Sequence, residues 1–358
     1  MNNIGVFIID DSALVRRSLT DLFSSEPGFT VIGSADDPIN GERKMQSAWP
    51  DVIFLDIEMP RMDGLTFLAK LMRERPTPVV ICSSLAGKSQ QTTVKAFALG
   101  AVEVIAKPEL GITDFFLNAR PAFVAAAVSA AQAKLKTLTA TLNPAPVQPQ
   151  APKQPTPPVA NSAIDAVIAM GASTGGPQAI EYLLRQLDTT TMPIVITQHM
   201  PENFTRAFAR RLDELMPIAV KEAENGDSLV RGRVLIAPGG RHMRLKRISA
   251  GLTVELVDGP PVNRHKPSVD VLFRSVVEAA PDAALGVLLT GMGDDGARGL
   301  LEMRGRGYAT IAQDEASSVV FGMPMTAIKL GAVDNQGIIA LDKIGDALKA
   351  FSAQRRLA

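Results

Sequence analysis

The sequence predicts an α/β protein made of two doubly wound parallel-sheet domains joined by a proline-rich linker, and three observations carry that prediction. Short apolar runs recur along both halves and alternate with helix-prone stretches, the pattern of strands that helices cover. Most of these runs end in residues that carry chemistry. Between the halves lies Asn143-Pro-Ala-Pro-Val-Gln-Pro-Gln-Ala-Pro-Lys-Gln-Pro-Thr-Pro-Pro158, where missing N–H donors and fixed φ angles exclude helix and sheet alike. At 358 residues, each half is long enough to bury its own core.

In the first half the runs are Ile4–Ile9, Val52–Leu55, Val79–Cys82 and Val102–Ala106, ending in Asp10-Asp11, Asp56, Ser83-Ser84 and Lys107-Pro108 respectively. The stretch Ser12 to Ser25 carries the helix period. Val15, Leu19, Leu22 and Phe23 share one face, Arg16, Arg17 and Asp21 the other, and Ser12 is the expected N-cap. In open parallel sheets such strand ends gather at one edge. Three carboxylates there repel one another unless a hard cation joins them, so Asp10, Asp11 and Asp56 read as a pocket for Mg²⁺, which takes oxygen ligands. Lys107 and the Ser83 hydroxyl would then contact the oxygens of a phosphoryl group placed on one of the aspartates. Solvated aspartates that cap helices account for one such residue but not for the set. Leu117 to Leu142 is alanine-rich and is expected to be helical after Pro121, extending the last helix of this domain toward the linker.

In the second half, Ile164 to Met170 runs into Gly171-Ala-Ser-Thr-Gly-Gly-Pro177, which predicts a strand turning sharply into a helix with the Ser173 oxygen exposed. A serine needs a base to take its proton, and small neighbours let a substrate carbonyl approach backbone N–H groups. Taken alone, the same glycine turn also fits tight strand–helix packing or phosphate binding. A second run, Pro193 to Gln198, ends at His199, and a third, Ala284 to Leu289, ends in Thr290-Gly-Met-Gly-Asp-Asp-Gly296. A nucleophile, a base and a carboxylate thus reach one sheet edge, and their order, Ser, His, Asp, disfavours an ordinary lipase-like hydrolase. His242 and His265, the other two histidines, also lie in polar loops, and the strand-end position favours His199 as the base. One of Asp294 and Asp295 is expected to cap the helix that starts near Gly296, and spacing does not choose between them.

Composition narrows the function. Lys plus Arg and Asp plus Glu both number 37, and the basic residues are scattered, which argues against a nucleic-acid partner held through phosphates. No apolar stretch reaches the length of a membrane span and no secretory signal or internal repeat is visible, so a soluble cytoplasmic protein is expected. The single cysteine, Cys82, excludes an intrachain disulfide, and no His/Cys cluster has zinc spacing.

Asp10-Asp11, Asp56, Ser83 and Lys107-Pro108 together resemble the signature of two-component receiver domains. The resemblance implies a flavodoxin-like domain over 1–125 with Asp56 as phosphoacceptor. It also implies that Mg²⁺ is held beside Asp10 by Asp11, Asp56 and the backbone carbonyl of Glu58. Ser83 and Lys107 would lie on the phosphoryl oxygens, with the Lys107–Pro108 bond cis. Where many receivers carry a switch aromatic three residues before the lysine, this chain has Val104, so the Ser83 loop and its neighbouring helix are expected to transmit the signal instead.

A receiver, a helical extension and linker over 126–161, and a module over 162–358 make a recognisable combination. That module bears Gly171-Ala-Ser-Thr-Gly-Gly-Pro177, Gln198-His-Met-Pro201, Pro260-Pro-Val-Asn-Arg-His-Lys-Pro-Ser-Val-Asp270 and Leu289-Thr-Gly-Met-Gly-Asp-Asp-Gly296. The whole is similar to the chemotaxis response-regulator protein-glutamate methylesterases. The resemblance implies a Rossmann-like three-layer catalytic domain in which Ser173 is the nucleophile, His199 the base and Asp295 the orienting acid. Thr174 and the Met292 backbone would line the oxyanion site. It further implies glutamate γ-methyl esters of chemoreceptors as substrate, methanol as product, deamidation of receptor glutamines, a histidine kinase as phosphodonor, and no cofactor for the esterase step. The unphosphorylated receiver would cover the catalytic cleft. The family commonly has Asn where this chain has Asp294. Two other classes compete. A dinucleotide-binding oxidoreductase is one, although the glycine turn lacks the three-glycine spacing of that fingerprint; a phosphorylation-switched binding module or transcriptional regulator without catalysis is the other.

Overall fold

The apolar runs of the first half are buried on both faces, as the strands of a parallel sheet must be when helices cover each side. In a computed structural model, which describes residues 3–84, 88–107, 112–142, 165–202 and 204–354, the chain divides into two units, 1–142 and 143–358.

The first unit comprises β1 (Ile4–Ile9), α1 (Ala13–Ser24), β2 (Phe29–Ala35), α2 (Pro38–Met45), β3 (Val52–Asp56), α3 (Gly64–Glu74), β4 (Val79–Ser84), α4 (Lys88–Ala98), β5 (Glu103–Lys107), α5 (Ile112–Ala131) and α6 (Leu135–Leu142). Its strands are parallel in the order β2-β1-β3-β4-β5, the flavodoxin-like arrangement. Ser12 caps α1 by accepting the Val15 N–H, as its spacing predicts. Phe23 of α1 packs on Phe54 of β3 at a ring-centroid distance of 4.9 Å, and Phe54 meets Phe123 of α5 at 6.0 Å, so one aromatic column joins helix, sheet and helix. β2 escapes the pattern of apolar runs because Gly33 and Ser34 interrupt it. α5 also departs from expectation: it starts at Ile112, encloses Pro121, and stops before α6 instead of running on. A proline removes a single donor, and burial of Phe123, Ala126, Ala127 and Ala130 keeps the helix docked around it.

The second unit comprises β6 (Ala166–Ala172), α7 (Gly176–Leu184), β7 (Ile194–Gln198), α8 (Phe204–Leu215), β8 (Ala219–Glu222), β9 (Arg233–Ile236), β10 (His242–Ile248), β11 (Gly251–Val257), α9 (Val269–Ala279), β12 (Ala283–Leu288), α10 (Ala297–Gly305), β13 (Ala309–Gln313), α11 (Met323–Lys329), β14 (Ile338–Ile339) and α12 (Leu341–Gln354). Its 7-stranded sheet is parallel in the order β14-β13-β12-β6-β7-β9-β8. The chain enters at the central β6, builds outward through β7, and returns to the other side of β6 at β12. That reversal is the topological switch point where ligands bind in Rossmann-like sheets. β10 and β11 form a separate antiparallel hairpin whose Met243, Leu245, Leu252 and Val254 face the core. His242 therefore begins a strand, not the polar loop expected for it. The period-2 alternation of these apolar residues is the signal that identifies the hairpin. Among the described residues, no helix is long and apolar enough to cross a membrane.

Candidate functional site

Strand register brings three distant segments together at the switch point. Ala172 of β6 pairs with Gln198 of β7, and Gly171 with Leu288 of β12, so the chain leaves three adjacent strands at Ser173, His199 and the loop that holds Asp295. Backbone bonds extend the pairing: the His199 N–H donates to the Ala172 carbonyl at 3.0 Å and the Ser173 N–H to the Thr290 carbonyl at 3.0 Å. The Gln198 amide nitrogen donates to the carbonyls of both Ser173 and His199, each at 3.0 Å, tying one turn to the other. Space dictates the glycine at 176, because a Cβ there would lie 2.1 Å from Gln198 Oε1. The 291 loop likewise approaches Ser173 with bare backbone, since a Cβ on Gly291 would sit 2.7 Å from Ser173 Cβ. Ser173 is 7% exposed as a residue, because neighbouring backbone crowds the turn that carries it. Thr174 is buried, its carbonyl accepting the Thr290 hydroxyl at 2.9 Å, and Met292 follows Gly291 in the loop beside the serine.

Asp295 is the most heavily bonded group of the site. His199 Nε2 donates to its Oδ2 at 2.8 Å, and the Val269 N–H donates to the same oxygen at 2.7 Å. Oδ1 accepts from the Ser268 hydroxyl at 2.8 Å, the Asn263 amide at 2.8 Å and the Asp270 N–H at 3.2 Å. Two of these donors are free N–H groups of the first turn of α9, where the helix dipole favours an anion. Burial pushes the carboxyl up, but the bonds from His199, Asn263 and Val269 outweigh it and hold Asp295 well below the usual carboxylate range. This corrects the expected cap. α10 starts at the left-handed Gly296 without a side-chain cap, so neither Asp294 nor Asp295 caps it. Asp295 caps α9, and Asp270 of α9 in turn accepts the Gly299 N–H of α10 at 2.7 Å. The exchange requires close helices, and Gly299 permits it, since a Cβ there would lie 2.7 Å from Phe273 Cβ. Asp294 points outward, its Oδ1 3.8 Å from Arg264.

The three histidines separate cleanly. His242 is buried with both nitrogens engaged, Nε2 donating to the Pro260 carbonyl at 3.0 Å and Nδ1 accepting the Ser268 N–H at 3.2 Å. His265 lies flat on His199, with ring centroids 3.7 Å apart at an interplanar angle of 6°. Burial, helped by the neighbouring His199, pushes the His265 imidazole down to about 3. His199 Nδ1 is buried without a hydrogen-bond partner among the described residues. An ionised Asp295 only accepts, so His199 carries its proton on Nε2 and presents a lone pair on Nδ1. That is the reverse of the chymotrypsin-type arrangement, where Nδ1 faces the acid. Sequence reasoning missed Gln198, Asn263 and Ser268 as members of this constellation. Ser268, an N-cap before an apolar-periodic stretch, has a local signal; Gln198 and Asn263 have none, because the partners that draw them into the site, Ser173 and Asp295, are remote in sequence.

The first unit gathers its chemistry in the same way. β1 and β3 pair through Ile9 and Leu55, Asp56 pairs with Cys82, and Ser84 with Lys107, so Asp10, Asp56, Ser83 and Lys107 stand at one sheet edge. Carboxylate oxygens of Asp10, Asp11 and Asp56 lie within 4.8 Å of one another. Lys107 Nζ reaches Asp10 Oδ2 at 2.5 Å and Asp56 Oδ2 at 2.9 Å. Burial pushes the Asp56 carboxyl up to about 6, with Lys107 opposing and Asp10 adding to the shift; burial likewise pushes Asp10 up. Among the described residues, one ammonium facing three carboxylates leaves net negative charge, and an all-oxygen donor set of this kind fits Mg²⁺. Glu58, two residues beyond Asp56, is exposed. Ser83 is buried and accepts the Thr93 hydroxyl at 2.9 Å. A Cβ at Gly64 would lie 2.1 Å from the Asp56 carbonyl oxygen, so this edge too depends on a glycine. Val104 is buried in β5 and Cys82 in β4. Pro108, and with it the Lys107–Pro108 bond, lies outside the described residues, as do 85–87 after Ser83.

Fold and site define a two-domain α/β chain, a receiver-type unit followed by a Rossmann-like unit that groups Ser, His and Asp at its switch point. The response regulator receiver domain family matches residues 6–112, and the CheB methylesterase family matches residues 168–348. The chain is similar to protein-glutamate methylesterase/protein-glutamine glutaminase 2 of Xanthomonas campestris pv. campestris, 52% identical over 335 residues that cover 91% of this chain and 95% of the relative. It is also similar to protein-glutamate methylesterase/protein-glutamine glutaminase 3 of Shewanella oneidensis, 50% identical over 357 residues, 98% of this chain and 100% of that one. Among solved structures it is similar to the Thermotoga maritima CheB methylesterase catalytic domain, with 35% identity, a TM-score of 0.48, and coverage of 51% of this chain and 96% of that one. The chain belongs to the CheB methylesterase family and carries a response regulator receiver domain ahead of the enzyme domain. Membership of an enzyme family replaces both competing readings, the dinucleotide-binding oxidoreductase and the non-catalytic module.

Proposed function

We propose that this protein hydrolyses glutamate γ-methyl esters on chemoreceptors, releasing methanol, and deamidates receptor glutamines by the same chemistry, under control of phosphorylation at Asp56. The observation that carries the reading is the His199 imidazole, anchored through Nε2 to an ionised Asp295 with Nδ1 unpartnered, at a strand end adjacent to the one that carries Ser173. Ser173 Oγ attacks the acyl carbon while its proton passes to Nδ1. Thr174 and the Met292 backbone hold the oxyanion of the tetrahedral intermediate. Nδ1 then gives its proton to the departing methoxide, or to the departing amine of a glutamine, and water deprotonated by Nδ1 cleaves the acyl-enzyme. Asp295 stays ionised throughout, compensating the imidazolium.

In the receiver, taken as 1–125 with an extension and linker over 126–161 and the catalytic domain over 162–358, Asp56 accepts the phosphoryl group from a histidine kinase. Asp11, Asp56 and the Glu58 carbonyl, beside Asp10, hold Mg²⁺, and Ser83 and Lys107 contact the phosphoryl oxygens. Bound Mg²⁺ supplies neutralising charge for that transfer. The esterase step needs no cofactor, and the setting is the cytoplasm. Methanol release from methylated receptor, and ammonia release from its glutamine form, test the reading: Ser173→Ala abolishes both, and Mg²⁺ with a small phosphodonor raises both. Methanol release that survives Ser173→Ala refutes the nucleophile.

A further inference from the structure

The segment Pro260 to Asp270 stands out in the sequence, yet its centre has no part in the reaction described above. Val262 and His265 exchange both backbone hydrogen bonds, at 3.0 and 2.9 Å, around Asn263 and Arg264. Both central residues are left-handed, with φ of 49° and 70°. Such a turn demands positive φ at both centres, which Asn tolerates and Arg rarely adopts, and backbone of this kind persists where its surroundings over-determine it. The surroundings here are the catalytic pair. The Asn263 amide nitrogen donates to Asp295 Oδ1 at 2.8 Å and to Asp270 Oδ2 at 2.7 Å. From the end of the same turn, His265 lies against the face of His199.

We propose that Asn263 and His265 are positioning residues for the hydrolysis, delivered together by one tight turn: Asn263 fixes Asp295 against Asp270, and His265 is the flat neutral surface on which His199 takes up its proton. Both roles presuppose the Ser173-centred hydrolysis proposed above. Asp295 and Asp270 are buried carboxyl groups on packed elements, and the amide between them satisfies one oxygen of each. Without it, Asp295 is free to turn toward its remaining donors and the His199 Nε2–H loses its fixed acceptor. His199 becomes a cation twice per turnover. A second cation stacked on it would oppose each proton transfer, whereas a neutral aromatic face attracts the charge. The burial that keeps His265 neutral therefore serves the base. Neither side chain has to touch the substrate, so the effect belongs in kcat and not in KM.

The test uses the full-length protein, with kcat and KM for methanol release from methylated receptor, melting temperature, and the proton NMR signal of the His199 Nε2–H. Asn263→Gly suits the left-handed backbone and removes only the amide; kcat is expected to fall about tenfold or more, with KM nearly unchanged and the Nε2–H signal broadened by exchange. For position 265 the expected order is His265→Phe, within about threefold of wild type, then His265→Leu, about tenfold lower, then His265→Lys, lower by about a hundredfold or more. Rescue by Phe but not by Leu separates an aromatic surface from a space-filler. Equal rates for Phe and Leu at wild-type level overturn the role of His265. A wild-type kcat and a sharp Nε2–H signal in Asn263→Gly overturn the role of Asn263. Ser173→Ala in the same assay distinguishes the two levels: persistent methanol release there refutes the hydrolysis reading itself, while its loss beside wild-type rates in the position 263 and 265 variants refutes only the positioning roles.

Discussion

Asp56 and Asp295 are buried to a similar degree, 6% and 1% exposed, and both stand at the carboxyl-end edge of a parallel sheet, yet their carboxyl groups are driven in opposite directions. Asp56 is pushed up to about 6, whereas Asp295 is held well below the usual range. Burial penalises both charges, so what differs is what faces them. Asp295 has five donors, including the amino end of α9. Among the described residues, Asp56 shares the Lys107 ammonium with Asp10 and keeps one local bond, from the Ile57 N–H. A carboxylate already compensated inside the fold can hold an imidazole through a catalytic cycle. One left under-compensated suits a cation and, in the proposed function, a phosphoryl group. Equivalent sheet edges thus suit two chemistries according to the number of donors the neighbouring loops supply.

The largest expected effect sharpens the catalytic side of this contrast. Ser173→Ala and His199→Ala should each lower methanol release by about 10⁴-fold or more, and the double variant should lose little beyond either single one, because the residues act as a unit. Losses that multiply would show two independent contributions.

Stability separates the two aspartates directly. Asp295→Ala strands buried donors at the start of α9 and should cost about 3 kcal/mol, measured by denaturant unfolding. Asp56→Asn in Mg²⁺-free buffer removes one of three clustered carboxylates, leaving two beside one ammonium, and should stabilise the receiver by about 1 kcal/mol. Effects of the same sign would break the comparison. Mg²⁺ offers a third measurement. At ten to a hundred times its dissociation constant it should raise the stability of the receiver by about 1–3 kcal/mol, a gain that Asp11→Asn should abolish in a thermal melt.

The last effect is a pH slope. His265 is held at about 3 in the fold against 6.5 for an ordinary histidine, so between those values the unfolded chain binds the additional proton. Stability from this group is complete above about pH 6.5 and is lost on acidification through that window. His265→Phe should flatten the dependence of unfolding free energy on pH between about 4 and 6, by at most about 1.4 kcal/mol per pH unit. An unchanged slope would mean that His265 titrates normally in the fold.

Period and punctuation made much of this protein readable in its residues. Apolar runs ending in Asp, Ser, Lys and His defined the strand ends where function gathers, the proline run separated the two halves, and Ser12 announced α1. These signals are local, and strand formation followed them at β1, β3, β4, β5, β6, β7 and β12. Where apolar and polar residues mix within a strand, as in β2 and β10, the apolar-run criterion failed and packing decided. The order of strands, the pairing of His199 with Asp295 in preference to Asp294, and the reciprocal capping of α9 and α10 were tertiary outcomes. So were the hydrogen bond from Asn263 to Asp295 and the stacking of His265 on His199. Each joins groups tens of residues apart, and only long-range register brings them into contact. Charge followed the same division: residue identity determines that a carboxyl exists, and the donors folded around it decide whether it stays ionised or waits for a cation.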